Sequence, residues 1–261
     1  MRIAVVGASG MLGTAVVAAA VAAGHDVAAT SRSGRIPDGV PTGYEAFAAD
    51  VTSGEGLPEA LRGADAVVFA ANSNKRPADV LVGGLMRTEK IMSSSALLVL
   101  PSIVNCDKLR GAYYEAKSVQ EEYLGHVEVP VIAPRITQFH EFLGAILSQA
   151  ARWRLSLRGS FTVQPVAVAA AAESVLASTV AALDHGPLPQ PDVAGPERLT
   201  ATEMSRIWGA AHPGARVPLR VPGRMLSAAG PDAMCPSNDA AVIVGEAFSS
   251  WCRGSVGATQ G

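Results

Sequence analysis

Tyr113 and Lys117 stand four residues apart in a charged, amphipathic stretch, Tyr113 to Leu124, that reads as a helix, so their side chains share one face. An ammonium beside a phenol stabilises the phenolate and lowers the phenol's pKa. A phenol tuned in this way can deliver a proton to a carbonyl oxygen as hydride reaches the carbon. Ser102 follows an apolar run, Ala96 to Pro101, that reads as a strand. A hydroxyl at the carboxyl end of such a strand can hydrogen-bond the same oxygen. Ser102, Tyr113 and Lys117 are therefore the catalytic candidates. Tyr114 is the rival tyrosine, but it lies about 100° further round the helix and pairs less well with Lys117. The alternative is structural: Tyr113 packs its ring and Lys117 is a solvated helix charge.

A proton donor of this kind needs a hydride source, and the first fifty residues offer a place for one. Gly7 to Gly13 spells Gly-Ala-Ser-Gly-Met-Leu-Gly, between a short apolar strand, Ile3 to Val6, and a helix, Met11 to Ala23, stopped by Gly24. In such a strand–turn–helix the first glycine permits a tight turn. The second lets backbone approach a pyrophosphate, and the third lets the helix pack close. Free N–H groups and the helix dipole favour phosphate there. Gly7, Ser9, Gly10, Met11, Leu12 and Gly13 form this candidate cradle. The next strand, Val27 to Thr30, runs into Ser31-Arg32-Ser33 without the acid that holds the ribose of NAD; Asp26 lies at its other end. Arg32 can grip a 2′-phosphate bidentately, with Ser31 or Ser33 adding a hydroxyl and Arg35 as a second cation. The expected cofactor is NADP(H).

These groups need a sheet to carry them. Further strands are expected at Ala46–Ala49, Ala66–Ala71 and Val129–Ala133, and helices at Leu57–Arg62 and Val80–Ser94. Alternating strands and helices imply parallel strands joined by crossovers. The fold class is α/β, a Rossmann doubly wound parallel sheet with a small C-terminal substrate-binding lobe. One domain covers 1–261, with a cofactor core over roughly 1–135 and lobe elements over 136–253. The lobe reads as a helix at Phe139–Arg152, a strand at Phe161–Val166, an Ala-rich helix at Val168–Leu183 and a helix opening at Thr200 with Glu203. A frayed tail is expected from Gly254. Gln138 and His140 follow the sixth strand and can line a pocket, His140 as a second proton carrier. Phe139 and Phe142 can wall a flat aromatic substrate, and serve equally well as core.

Composition narrows the class. The 261 residues carry a formal charge of −2, so no basic face points to nucleic acid. The uncharged run Ile3 to Gly24 is broken by glycines and reads as strand, turn and helix rather than a membrane span. Cys106, Cys235 and Cys252 are odd in number and lack metal spacing, which suits a reduced cytoplasmic compartment. No metal is expected, because there is no His-Glu-x-x-His; no Gly-x-Ser-x-Gly elbow supports a serine hydrolase.

The chain resembles the short-chain dehydrogenase/reductase superfamily, in its atypical, NmrA-like branch. Besides Gly7 to Gly13, the likeness rests on Asp50-Val51, Ala70-Ala71-Asn72, Ser102-Ile103-Val104, Tyr113 to Lys117, Arg135 to Phe142, Gln164-Pro165-Val166 and Ala194 to Glu197. The stretch Asn74 to Ala96 is shorter than in that family. The resemblance implies that Asp50 and Val51 contact adenine and that Ala70, Ala71 and Asn72 line the cofactor. It also implies that Lys117 holds the nicotinamide ribose, and that Gln138, Phe139 and His140 enter the substrate lobe. The expected activity is an NADPH-dependent reductase of a carbonyl or quinone, with a tailoring step on an aromatic natural product as one form of it. Two alternatives are a non-catalytic NADP(H) redox sensor and a redox-neutral epimerase, dehydratase or cyclase. The expected partner is a small molecule, with neither nucleic acid nor membrane, and the chain a monomer or homodimer.

Overall fold

Short apolar strands and small-residue helices alternate from the first residue, and in a computed structural model they assemble as a wound parallel sheet. The structure describes residues 1–214, 216–227, 229–237 and 240–258, the last four by backbone only. The chain begins β1 (Arg2–Val6), α1 (Met11–Ala22), β2 (Asp26–Ser31), β3 (Tyr44–Ala48), α2 (Leu57–Ala60), β4 (Ala66–Phe69). A π-helical stretch, Ala78–Gly83, then runs into α3 (Gly84–Ile91), followed by β5 (Leu97–Val99), β6 (Ser102–Ile103), α4 (Ala112–Tyr123), β7 (Val131–Ile132) and β8 (Arg135–Ile136). It continues as α5 (His140–Arg152), β9 (Leu155–Arg158), β10 (Thr162–Val163), α6 (Val168–His185), β11 (Val193–Ala194) and β12 (Leu199–Thr200). The last elements are α7 (Ala201–Ala211), β13 (Val217–Arg220), β14 (Val242–Ile243) and α8 (Phe248–Ala258).

Two compact units result. Unit 1 comprises Met1–Ser102, Gly111–Arg135 and Ala172–Gln190; unit 2 comprises Ile103–Arg110, Ile136–Ala171 and the chain from Pro191 on. Unit 1 is built on a six-stranded sheet in the order β3-β2-β1-β4-β5-β7, parallel throughout. Val5 pairs with Ala29 on one side and Val68 on the other. β4 and β5 are wholly buried, as strands of a parallel sheet covered on both faces must be. Leu57, Phe69, Leu85, Leu98 and Leu100 fill one of its core layers. Strand order reverses between β1 and β4, and ligands of open α/β sheets bind outside the strands' carboxyl ends at such a point. Gly7 and Ala70 stand there, Ala70 donating its N–H to the Val6 carbonyl.

In unit 2, Val193 of β11 pairs in parallel with Ile136 of β8 and with Val242 of β14, beside the parallel pair β9/β13 and the antiparallel pair β10/β12. Trp251 of α8 presses on α5 at Gly144, where an added Cβ would stand 2.5 Å from the indole. α7 begins with a full capping box: Glu203 N–H donates to Thr200 Oγ1 at 3.2 Å, and Thr200 N–H donates to the Glu203 carboxylate at 2.8 Å. The frayed tail expected from Gly254 is corrected in part, since α8 continues to Ala258; residues 259–261 lie outside those described. Among the described residues no helix is long and apolar enough to cross a membrane.

Candidate active site

The glycine turn is dictated by steric fit. Gly7 has φ +86°, and a Cβ on it would lie 2.5 Å from Ala71 Cα. A Cβ on Gly13 would lie 2.2 Å from the Gly7 carbonyl oxygen. Only glycine fits either position. At Gly10 the corresponding contact is 3.3 Å, tight rather than prohibitive. A cavity of about 240 Å³ opens at this turn. Gly7, Ser9 and Gly10 line it, together with Ser31 and Arg32 after β2, Asp50 and Val51 after β3, and Ala70, Ala71 and Asn72 after β4. Met11 and Leu12 form the first turn of α1 and are not among its lining residues, nor is Gly13, which is buried. A cradle that a Cβ would close, beside an open guanidinium, fits a dinucleotide.

The end of β2 settles differently from expectation. Ser31 Oγ donates to the Arg35 carbonyl at 2.8 Å, so its proton is already used and it has none for a phosphate. Ser33 Oγ accepts from Arg35 N–H at 3.4 Å, and Arg35 does not line the cavity. Arg32 is exposed, lines the cavity and makes no hydrogen bond or ion pair among the described residues. Asp50 Oδ1 accepts from both Thr52 Oγ1 and Thr52 N–H at 2.7 Å. These bonds, then the positive charges of Arg32 and Arg76, hold the Asp50 carboxyl below its usual range. Thr52, Ser73, Arg76 and Val80 also line the cavity and escaped the sequence reading. No motif announces them; they are ordinary turn and helix residues brought in by the β3 and β4 ends.

The proton-transfer candidates gather at the neighbouring strand ends. Lys117 is buried, and its Nζ donates to the carbonyl of Pro101, the residue before Ser102, at 3.1 Å. Asn72 Nδ2 donates to Tyr113 Oη at 3.3 Å. Helix α4 is thus tied through Asn72 to the end of β4 and through Pro101 to the end of β5. The bond from Asn72 engages a lone pair of the phenol oxygen rather than its proton. Ser102 is 3% exposed, and its Oγ has no hydrogen-bond partner among the described residues. Burial raises the pKa of Tyr114, which opposes the phenolate a proton donor must become. Its ring meets that of Tyr113 edge-on, 5.4 Å between centroids.

In unit 2, His140 sits inside the core. It has no exposed surface and packs against Phe248 and Trp251, with centroids 5.4 and 5.7 Å away. Its Nε2 lies 3.0 Å from the Glu246 carbonyl and must donate to it, which leaves Nδ1 without a partner. Burial pushes its pKa down, so the ring is neutral at pH 7. Phe139 is half-buried at the head of α5, and Phe142 is exposed. Both amide atoms of Gln138 are buried and unpartnered. None of Gln138, Phe139 and His140 lines the cavity of about 590 Å³ that unit 2 does possess. That cavity presents Asn105, Lys108, Gln164, Arg198, Cys235 and Ser237. Asn105, at φ +53°, organises it: its amide donates to the Cys235 carbonyl at 2.8 Å and its Oδ1 accepts from Lys108 Nζ at 2.8 Å. Burial pushes the Cys235 thiol up to about 11, so it is no nucleophile at pH 7. Among the described residues no three His, Cys, Asp or Glu side chains are placed to hold a metal ion.

Residues 7–129 match the model of a family described as NAD(P)H-binding. Uncharacterized proteins of Mycobacterium bovis and Mycobacterium tuberculosis are 34% identical over 95 residues, 36% of this chain. The chain spans 11% of the length of those curated relatives. The solved Thermus thermophilus UDP-glucose 4-epimerase, in complex with NAD, superposes with a TM-score of 0.73 at 17% identity, covering 100% of this chain and 99% of that one. An NAD-bound short-chain dehydrogenase/reductase superfamily protein of Agrobacterium tumefaciens gives 0.68 at 15%, over 100% and 97%. TunA, an NAD-dependent NDP-hexosamine 5,6-dehydratase, gives 0.73 at 17%, over 99% and 97%. The matched segment, residues 7–129, includes the glycine turn and Lys117. The chain shares its fold with these solved short-chain dehydrogenase/reductase and epimerase structures.

Proposed function

We propose that the protein is an NADPH-dependent reductase of a carbonyl compound. The observation that carries this reading is Ser102, a buried hydroxyl without a partner, at the strand end where Lys117 is anchored and beside the helix that presents Tyr113. A buried polar group left unpaired is costly, and a substrate oxygen would satisfy it. Ser102 would hydrogen-bond that oxygen. Tyr113 would give its Oη proton to it, with Asn72 fixing the phenol's direction. Lys117, one turn along α4, would stabilise the phenolate left behind. Gly7, Ser9 and Gly10 would hold the cofactor's pyrophosphate, and Arg32 the 2′-phosphate. The bound nicotinamide supplies the hydride. The lining of the unit 2 cavity supports an oxygen-rich compound over a flat apolar quinone as the ligand of that unit.

A second reading is favoured by the solved neighbours, which include a 4-epimerase and a 5,6-dehydratase holding or using NAD. The same proton machinery would serve a redox-neutral reaction. The deciding experiment follows NADPH oxidation by purified protein across a panel of aldehydes, ketones and quinones, with Tyr113→Phe alongside. Oxidation by the wild type, lost in a Tyr113→Phe protein that still binds NADPH, is the expected result. Full activity of that variant removes Tyr113 from the mechanism. Tightly retained cofactor with no net oxidation favours the redox-neutral reading.

A further inference from the structure

We infer that Arg76 completes, with Arg32, a two-arginine clamp on the 2′-phosphate of NADPH, and so is a second determinant of which nicotinamide cofactor binds. The inference rests on the NADPH reading above and adds a residue to it that no motif marks. Both arginines line the same cavity but reach it from different elements, Arg32 from the end of β2 and Arg76 from the turn after β4. The Asp50 carboxylate lines that cavity too and feels both positive charges.

Charge balance is the core of the case. Asp50 is locked in place as an anion by two hydrogen bonds from Thr52. With Arg32 alone, one cation and one anion face the cavity, and that corner offers a phosphate dianion no net attraction. Arg76 adds a second cation to the cavity wall, while its ion-pair partner Asp79 is not among the lining residues. A phosphomonoester carries close to two negative charges at pH 7 and three acceptor oxygens, more than one guanidinium fork can cover. The 2′-hydroxyl of NADH carries no charge and gains nothing from a second arginine.

Arg76 is also mechanically suited to the task. Its backbone is pinned: its N–H donates to Ser73 Oγ at 3.1 Å, and its carbonyl accepts from Val80 N–H at 3.1 Å as the π-helical stretch begins. Its side chain is not. The guanidinium is 61% exposed and rests on Asp79, itself 59% exposed and outside the cavity, at 2.9 Å. An exposed pair three residues apart is weak and is readily exchanged for a phosphate.

The test is a titration of NADPH and NADH by fluorescence, repeated with 2′,5′-ADP and 5′-AMP by calorimetry, on wild type, Arg32→Ala, Arg76→Ala, Arg76→Lys and Asp79→Asn. The last two probes differ only in the 2′-phosphate, so the readout is independent of turnover. Arg76→Ala is expected to weaken NADPH and 2′,5′-ADP about tenfold, the loss of one charge-assisted phosphate contact, and to leave NADH and 5′-AMP unchanged. Arg76→Lys should recover part of the loss, and Asp79→Asn should tighten NADPH by about twofold by freeing Arg76. Equal weakening of phosphorylated and unphosphorylated ligands, or no weakening of either, overturns the clamp. If wild type prefers NADPH, and Arg32→Ala abolishes the preference while Arg76→Ala keeps it, the clamp alone fails. If wild type shows no preference and Arg32→Ala changes nothing, the NADPH reading itself fails.

Discussion

Replacing Ser102 by alanine should make the protein more stable and catalytically inert at the same time. Its Oγ is buried at 3% residue exposure and has no partner among the described residues, so the fold carries the desolvation of a hydroxyl with nothing in return. Such a group costs about 1–3 kcal/mol. Ser102→Ala removes it and gives up only the weak packing of one oxygen, so a net gain of roughly 1–2 kcal/mol is expected. For a chain of this size each kcal/mol moves Tm by about 2–4 °C, which sets the expected rise at about 2–8 °C. Turnover moves the other way. A hydrogen bond to the oxygen on which charge develops is worth about 2.7–4 kcal/mol, or a loss of 10²–10³ in rate. Thermal unfolding without ligand measures the first effect, and NADPH oxidation with the best substrate of the panel measures the second. A fall in Tm would show that Ser102 Oγ is satisfied in the folded protein. An unchanged rate would show that the substrate oxygen binds elsewhere.

Other perturbations test the rest of the molecule. Gly13→Ala places a Cβ 2.2 Å from the Gly7 carbonyl oxygen, which only backbone movement can relieve; NADPH affinity should fall more than about tenfold and Tm should drop, whereas Gly125→Ala, which meets nothing within 4 Å, should leave both unchanged. His140 is neutral in the fold with its pKa lowered from 6.5, so the stability it contributes is complete above pH 6.5 and is lost as pH falls through its lower folded-state pKa. Thermal melts across acid pH should therefore show Tm falling below about pH 6.5, with a shallower fall in His140→Gln. Thr200→Ala removes the capping hydroxyl of α7 and should cost about 1 kcal/mol, seen as a lower urea midpoint at unchanged slope.

What could be read from the sequence follows from how strongly local chemistry constrains a residue. Gly7 and Gly13 were legible because steric fit excludes every other side chain there, so their type alone announces the turn. Tyr113 and Lys117 were legible because helical spacing places both on one face, and the structure ties that face to Asn72 and Pro101. Strands of two residues, such as β11 and β14, are too short for any periodicity, so most of the small sheet of unit 2 went unforeseen. His140 misled because a polar side chain after a strand suggests a pocket. The aromatic residues that enclose it, Phe248 and Trp251, lie more than a hundred positions away. Ser31 misled in a milder way, since nothing local says that its hydroxyl will close on the Arg35 carbonyl. Arg76 left no trace because a charged residue in a turn is what any surface turn contains.

The interleaving of the two units has a consequence for how the protein is made. The six strands of the large sheet have all been synthesised once Ile132 has left the ribosome, yet unit 1 also includes Ala172–Gln190. On the order of several seconds of translation separate the two events. During that interval unit 1 lacks its third segment, and the chain in between belongs to the other unit. A polypeptide cut after Arg135 would hold every strand of that sheet and the whole glycine cradle, but would stay in this unfinished condition, prone to aggregate rather than to fold as a free-standing nucleotide-binding module.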